Sequence, residues 1–269
     1  MDINALKKRL GEISNKNKKT TNIWKPTPGQ QNVRIVPNKS NPDNPFLELK
    51  FHYDFNNKTY LSPISFDRPD PIVELANHLR NSGDQDEYQM STKLYPKMRI
   101  YVPVIVRGEE DKGVRFWGFG KQVYQALLTL IADDEYGDIT DLKEGTDITV
   151  EYIPKEETGK SFPETKILPR RKPSPVGDEK VLEAVKNQPL ISEIYTEPTY
   201  DELKDALEKY LAPEDEADEN EESDSSDAYG DAKSETSDTA ETKTESKEPE
   251  TKSTSVADTS DAFDKIFNS

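Results

Sequence analysis

The last 57 residues, Pro213–Ser269, carry 19 acidic side chains against 5 basic ones and almost no large aliphatic residue. Such a segment cannot bury enough apolar surface to offset the entropy of ordering it, so it reads as a disordered acidic tail. Its net charge of about −14 makes up most of the −17 on the chain, leaving about −3 for residues 1–212. That first stretch also holds nearly all the Leu, Ile, Val and aromatic residues. A folded body of roughly 200 residues followed by a tail is the expected division. Charge is uneven within the body too. Residues 1–60 hold 11 basic side chains against 5 acidic ones, so the N-terminal fifth is positive in an acidic chain.

Several chemistries are excluded at once. The chain has no cysteine, which removes disulfides, thiolate zinc sites and a cysteine nucleophile, and His52 and His78 are its only histidines. No cofactor and no metal are expected. No window approaches the ~18 apolar residues of a membrane span, and MDINALKKRL lacks the apolar core of a secretory signal, so a soluble cytoplasmic protein is expected. Carboxylates are abundant, but no His or Cys stands beside a plausible nucleophile, so no enzymatic activity is expected. Gly159-Lys160-Ser161 imitates the end of a phosphate-binding loop, yet Pro154 stands where the first glycine is required.

Ile3, Leu6, Leu10 and Ile13 recur at helical spacing beside Lys7, Lys8 and Arg9, and a basic run follows at Lys16–Thr21. The body then reads as short strands at 33–36, 46–53, 58–61, 99–106, 113–119, 147–153 and 165–168. Asn56-Asn57 marks a hairpin between the second and third of these. Helices are expected at 72–79, at 122–131, and after Thr199, where Glu202 completes a capping box. In the 99–106 strand the aliphatics share one parity, while Arg99 and Tyr101 share the other and are expected to look outward. Pro103 suggests an edge or a bulge. Strands interrupted once by a helix, with hairpins on either side, suit a mostly β fold, an OB-type Greek-key barrel with peripheral helices.

The segment from Tyr88 to Phe119 interleaves rings with cations: Tyr88, Lys93, Tyr95, Lys97, Arg99, Tyr101, Arg115, Phe116, Trp117 and Phe119. Single-stranded nucleic acid needs this mixture, because cations follow phosphates while flat rings stack on bases. Tyrosine is also an ordinary strand former, so the pattern alone leaves a packing role open. At the far end, Phe263, Asp264, Ile266 and Phe267 return apolar side chains among acids, as in a short peptide that docks in a partner's groove.

The order of these parts resembles the single-stranded-DNA-binding (helix-destabilising) proteins of T-even-like bacteriophages. The pieces that carry it are the basic N-terminus, Trp24 with Val33–Pro37, the 99–106 strand, Val114–Lys121 leading into a helix, Thr199–Leu203, and the acidic tail. The resemblance implies an OB core over 23–212 that binds single-stranded DNA cooperatively and with little sequence preference. It implies DNA contacts at Tyr88, Lys93, Arg99, Tyr101, Trp117 and Lys121, with Phe162 and Lys166 as further positions; Lys97, Arg115 and Phe119 come from the interleaved pattern. It also implies self-association through a basic segment within 1–22, either Lys7, Lys8 and Arg9 or Lys18, Lys19, Thr20 and Thr21. The tail, 213–269, would recruit replication and recombination proteins. The family's structural zinc would be missing, since Ser62, Arg68 and Pro71 stand where thiolates would fall. Residues 60–80 are then expected to be held by packing of Leu61, Ile64, Phe66, Ile72, Val73 and Leu75. The alternative reading is an acidic-tailed protein-interaction or chaperone-like protein with a β core.

Overall fold

A computed structural model describes residues 22–133, 135–211, 262–263 and 265–267. These fall into two compact units. The first comprises the described part of Met1–Phe51 with Met98–Glu197, and the second His52–Lys97 with the described part of Pro198–Ser269. The acidic stretch expected to be disordered and the basic clusters expected to self-associate (Lys7, Lys8, Arg9, Lys18, Lys19, Thr20 and Thr21) lie outside the described residues.

The strands are β1 (Ile23–Trp24), β2 (Gly29–Ile35), β3 (Leu47–Phe55), β4 (Lys58–Leu61), β5 (Lys97–Val106), β6 (Arg115–Phe119), β7 (Ile148–Ile153) and β8 (Glu164–Pro169). They form one mixed sheet in the order β1-β6-β5-β2-β7-β8, with β3 pairing β5 and β4. The pairings among the described residues leave this sheet open, where a closed barrel was expected. In the first unit, antiparallel register sends Ile100, Val102 and Val104 of β5, Val33 and Ile35 of β2, and Ile148 and Val150 of β7 to one face. These side chains form a buried apolar cluster with helix α3 (Lys121–Ile131), whose Val123, Leu127 and Leu130 recur at helical spacing.

Pro103 lies inside β5, opposite Phe116 of β6 and one residue beyond the last β2 pair, Ile35 with Val104, so the strand as a whole is interior while Pro103 itself falls past the β2 ladder. The strand tolerates it because the missing N–H falls just past the end of β2 at Ile35. There Val36 N–H still donates to the Pro103 carbonyl (3.1 Å), so a single ladder bond is lost.

The second unit packs helices α1 (Pro71–Arg80), α2 (Gln85–Leu94) and α5 (Tyr200–Leu211) with the β3–β4 hairpin. Asn56 and Asn57 both take left-handed backbone conformations (φ 54° and 56°), as a two-residue hairpin requires. Thr199 and Glu202 close the capping box of α5: the Glu202 N–H donates to Thr199 Oγ1 and the Thr199 N–H to Glu202 Oε2 (3.2 and 2.8 Å). The core here joins Ile72, Leu75 and Leu79 to Leu203, Leu207 and Phe55, with Tyr210 stacked on Phe55 at 4.4 Å.

Candidate functional site

Register decides which of the expected contact residues can meet a ligand. Trp117 pairs with Val102 and Phe119 with Ile100, so both rings share the aliphatic face of the sheet. Trp117 is 1% exposed and packs edge-on against Trp24 at 5.6 Å and Phe119 at 4.6 Å. Trp117 and Phe119 are therefore corrected from base-stacking rings to core side chains. Arg115 is buried as well, paired with Glu109.

The opposite face carries Arg99, Tyr101 and Gly118. The Tyr101 ring lies across Gly118, where an added Cβ would come within 2.6 Å of it. Glycine at 118 is what lets the ring lie flat. Arg99 donates to the Gly118 carbonyl (3.0 Å), and the Tyr101 hydroxyl meets that of Tyr195 at 2.8 Å. Phe51 completes an aromatic cluster, 6.1 Å from Tyr101 and 5.0 Å from Tyr195. The expectation that this parity opens to solvent is only partly met. Tyr101 is buried beneath Tyr195, and farther along the same parity, beyond Pro103, Ile105 lies beneath helix α4 (Glu179–Lys186) in a cluster with Val181 and Val185. Arg99 and Tyr195 are half-buried.

Beside Ile105 lies a fully buried cation. Arg34 has 0% exposure, pairs with Asp147 (2.9 Å) and donates to the carbonyls of Asp141 and Ser174. Arg107 grips the same carboxylate through Nε and Nη2 (3.0 and 2.8 Å) and donates to the Val176 and Pro175 carbonyls. Two guanidinium groups thus tie the loops at 141–147 and 174–176 to the sheet. Farther along, the β7–β8 hairpin turns through a one-turn helix at Lys155–Thr158 and a left-handed Gly159 (φ 64°). Near its tip the hairpin exposes Phe162 at 43% and Lys160. Lys166 stands opposite Glu151 with its ammonium 3.8 Å from Glu164. Lys121 is exposed at the start of α3.

In the second unit, α2 begins at an Asp84 cap and presents Tyr88, 48% exposed. The Arg80 guanidinium lies over both the Tyr88 and Tyr95 rings, at 5.7 and 5.6 Å. Lys93 and Lys97 are exposed. This flat, cationic stack is what nucleobases and phosphates require together. Arg80 escaped the sequence reading because the Tyr88 segment was not read as a helix. It ends α1, and eight residues, a short loop and the first turn of α2, carry the chain from it to Tyr88.

A family model described as gp32 DNA binding protein like matches residues 27–212, more than half of the chain. The chain belongs to this family. No curated protein matches the sequence.

In this gp32-like chain the matched region takes in both units' cation–aromatic clusters and leaves the basic N-terminal residues and the acidic tail outside it. A zinc ion does not fit the segment that the family resemblance would assign to it. Among the described residues no three His, Cys, Asp or Glu side chains converge as metal ligands. Instead a buried polar knot stands there: His52 Nε2 meets Asp70 Oδ2 at 3.0 Å, His52 Nδ1 meets the Leu94 carbonyl at 2.9 Å, and Ser62 Oγ donates to Asp70. Both ring nitrogens are already occupied. The expectation of packing alone is corrected accordingly: Leu61, Ile72, Val73 and Leu75 are buried, but Ile64 is only half-buried and Phe66 is 41% exposed under Arg68.

The end of the tail is partly described. Phe263 is 3% exposed within the second unit's core, and Ile266 and Phe267 pack against the same cluster; Asp264 lies outside the described residues. No helix among the described residues is long and apolar enough to cross a membrane.

Proposed function

We propose that this chain binds single-stranded DNA, without strong sequence preference, in phage replication, recombination and repair, in the host-cell cytoplasm. The observation that carries the reading is the gp32-like match over 27–212, a region that presents cations beside accessible rings in each unit. An OB-type arrangement of the β strands and a core over 23–212 belong to the same proposal. Binding is passive. Lys93, Lys97, Arg99, Lys121 and Lys166 lie along phosphates and release counterions, while Tyr88 and Phe162 stack on bases. Tyr101 acts by backing Tyr195 and Arg99, with Arg115, Trp117 and Phe119 holding the strand that carries them. Self-association through Lys7, Lys8 and Arg9, or Lys18, Lys19, Thr20 and Thr21, makes binding cooperative. The tail, with Phe263, Asp264, Ile266 and Phe267, offers itself to partner proteins.

Two outcomes follow from these roles. Phe162→Ala should weaken oligo(dT) binding by about 1–3 kcal/mol, the worth of one stacked base. Lys166→Ala should flatten the plot of log affinity against log salt by roughly 0.7, the value of one phosphate contact on a single strand. Both are read by anisotropy of a labelled oligonucleotide, and unchanged affinity and slope would remove the β7–β8 hairpin from the site.

The tail supplies a further test. Its charge of about −14 makes it a competitor for cationic surface. Removing residues 213–269 should tighten oligo(dT) binding at low salt and change it little at high salt, where the tail is already screened. Equal or weaker binding by the shortened chain at low salt would contradict the competition.

A further inference from the structure

The terminal segment was read above as a peptide for a partner's groove, yet its apolar side chains are already engaged. Phe263 is 3% exposed and shares a cluster with Phe55, Leu203, Leu207 and Leu211 of the second unit. Ala262, Ile266 and Phe267 pack against the same cluster. Phe263 and Phe267 have ring centroids 4.9 Å apart. Helix α5 meets them with more than apolar surface. The Lys204 ammonium sits 5.9 Å from the Phe263 ring and 5.5 Å from the Phe267 ring, and it donates to the Phe267 carbonyl at 3.3 Å.

We propose that Ala262–Phe267 is a self-bound peptide whose receptor is the α5 face of the second unit, with Lys204 as its clasp. A ring that is 3% exposed cannot at the same time lie in a partner's groove. A protein partner that reads Phe263, Ile266 and Phe267 must therefore displace the segment first, and its apparent affinity is lowered by the fraction of chains in which the segment is seated. Release uncovers two surfaces at once, the Phe-x-x-Ile-Phe segment and the apolar face around Leu203 and Leu207. The occupant is the chain's own segment. Fifty residues separate Leu211 from Ala262, enough at about 3.3–3.6 Å per residue to return without constraint. This inference adds to the tail's proposed partner role and does not rest on DNA binding.

The test uses the full-length chain and a labelled synthetic peptide covering residues 256–269. Phe263→Asp in the full chain should empty the face, so the variant should bind the peptide at least tenfold more tightly than the wild type does. The milder Phe267→Ala variant, which keeps the buried Phe263 ring, should give a several-fold gain. A peptide carrying Phe263→Asp should bind neither protein, and adding Lys204→Glu to the Phe263→Asp chain should weaken peptide binding several-fold. Equal affinity for wild type and both variants, or binding by none of them, would overturn the proposal. So would a concentration-dependent dimer abolished by Phe263→Asp, since the occupant would then be a second copy's segment. Oligo(dT) titration of the same variants reads the DNA-binding proposal separately, so either can fail alone.

Discussion

Asp147→Ala should destabilise the first unit by about 3–5 kcal/mol, the usual cost of leaving a buried charge without its partner. Arg34 has no exposure, and its guanidinium is held among Asp147, the Asp141 carbonyl and Ser174. Burial pulls the Arg34 pKa down, and the Asp147 carboxylate is the main influence pushing it back up. Without that carboxylate a desolvated cation remains, with a second guanidinium beside it. Against a typical total of about 5–15 kcal/mol, the loss is large enough to leave much of the protein unfolded at moderate temperature. Arg107→Ala should cost less. The Arg107 side chain is 21% exposed, and its removal leaves Asp147 still paired with Arg34. Trp24 and Trp117 are the only tryptophans and both belong to the first unit, so denaturant titration followed by tryptophan fluorescence reports on this unit directly. A midpoint for Asp147→Ala within error of the wild type would show that the Arg34 cluster is not what fastens the loops.

The second large effect is expected at Asp70. Its Oδ1 accepts from the N–H groups of Ile72 and Val73 (2.9 and 3.3 Å), which caps α1, while Oδ2 takes up Ser62 and His52. Asp70→Ala removes a helix cap worth about 1 kcal/mol. It also strands a buried hydroxyl and a buried imidazole, at about 1–3 kcal/mol each. A loss of about 3–7 kcal/mol from the second unit is the outcome. Burial pushes the Asp70 carboxyl upward, but the His52 hydrogen bond and charge, the Ser62 hydroxyl and the Val73 N–H together hold it below the usual carboxylate range. A carboxyl depressed in the folded state contributes stability above its unfolded value, and that contribution is lost as pH falls through the folded one. The second unit should therefore weaken as pH drops below about 4, the ordinary aspartate value. Asp70→Asn should remove that dependence while retaining much of the cap. Amide exchange across Pro71–Arg80 reads both effects. Protection in Asp70→Ala equal to the wild type, or an Asn variant with the same acid response, would contradict this account.

Where local chemistry dictates structure, the chain was legible. The Thr199–Glu202 capping box starts a helix at Tyr200, and Asn56-Asn57 turns a hairpin, because both depend on neighbouring residues. The failures have equally particular causes. Helix α2 buries only Ser91 and Leu94, so it writes no apolar stripe, and Tyr88 stands in the sequence as a ring with no sign of the helix that carries it. Helix α4 spans eight residues with only Val181 and Val185 turned inward, too brief for a periodic signal. At Trp117 the residue type suited stacking on a base, but whether a strand residue faces in or out depends on register with β5, which no local pattern records. Arg34 is a stronger case still. Its partners lie 107 to 140 residues away, so nothing beside it in sequence shows that this cation is buried. Lys93, Lys97 and Lys121 could be named from the sequence and are exposed, whereas Arg80 could not be, because its place over the Tyr88 and Tyr95 rings is set by tertiary packing.

The measurement that bears most directly on the central claim is the salt dependence of oligo(dT) binding by the full-length chain. Anisotropy of a labelled oligonucleotide is the appropriate signal, because Trp24 and Trp117 are 5% and 1% exposed and offer no ring for a base to quench by stacking. Saturable binding is expected, its log affinity falling linearly with log salt with a slope of roughly −0.7 for each phosphate neutralised. No binding at low salt, or an affinity indifferent to salt, would contradict it.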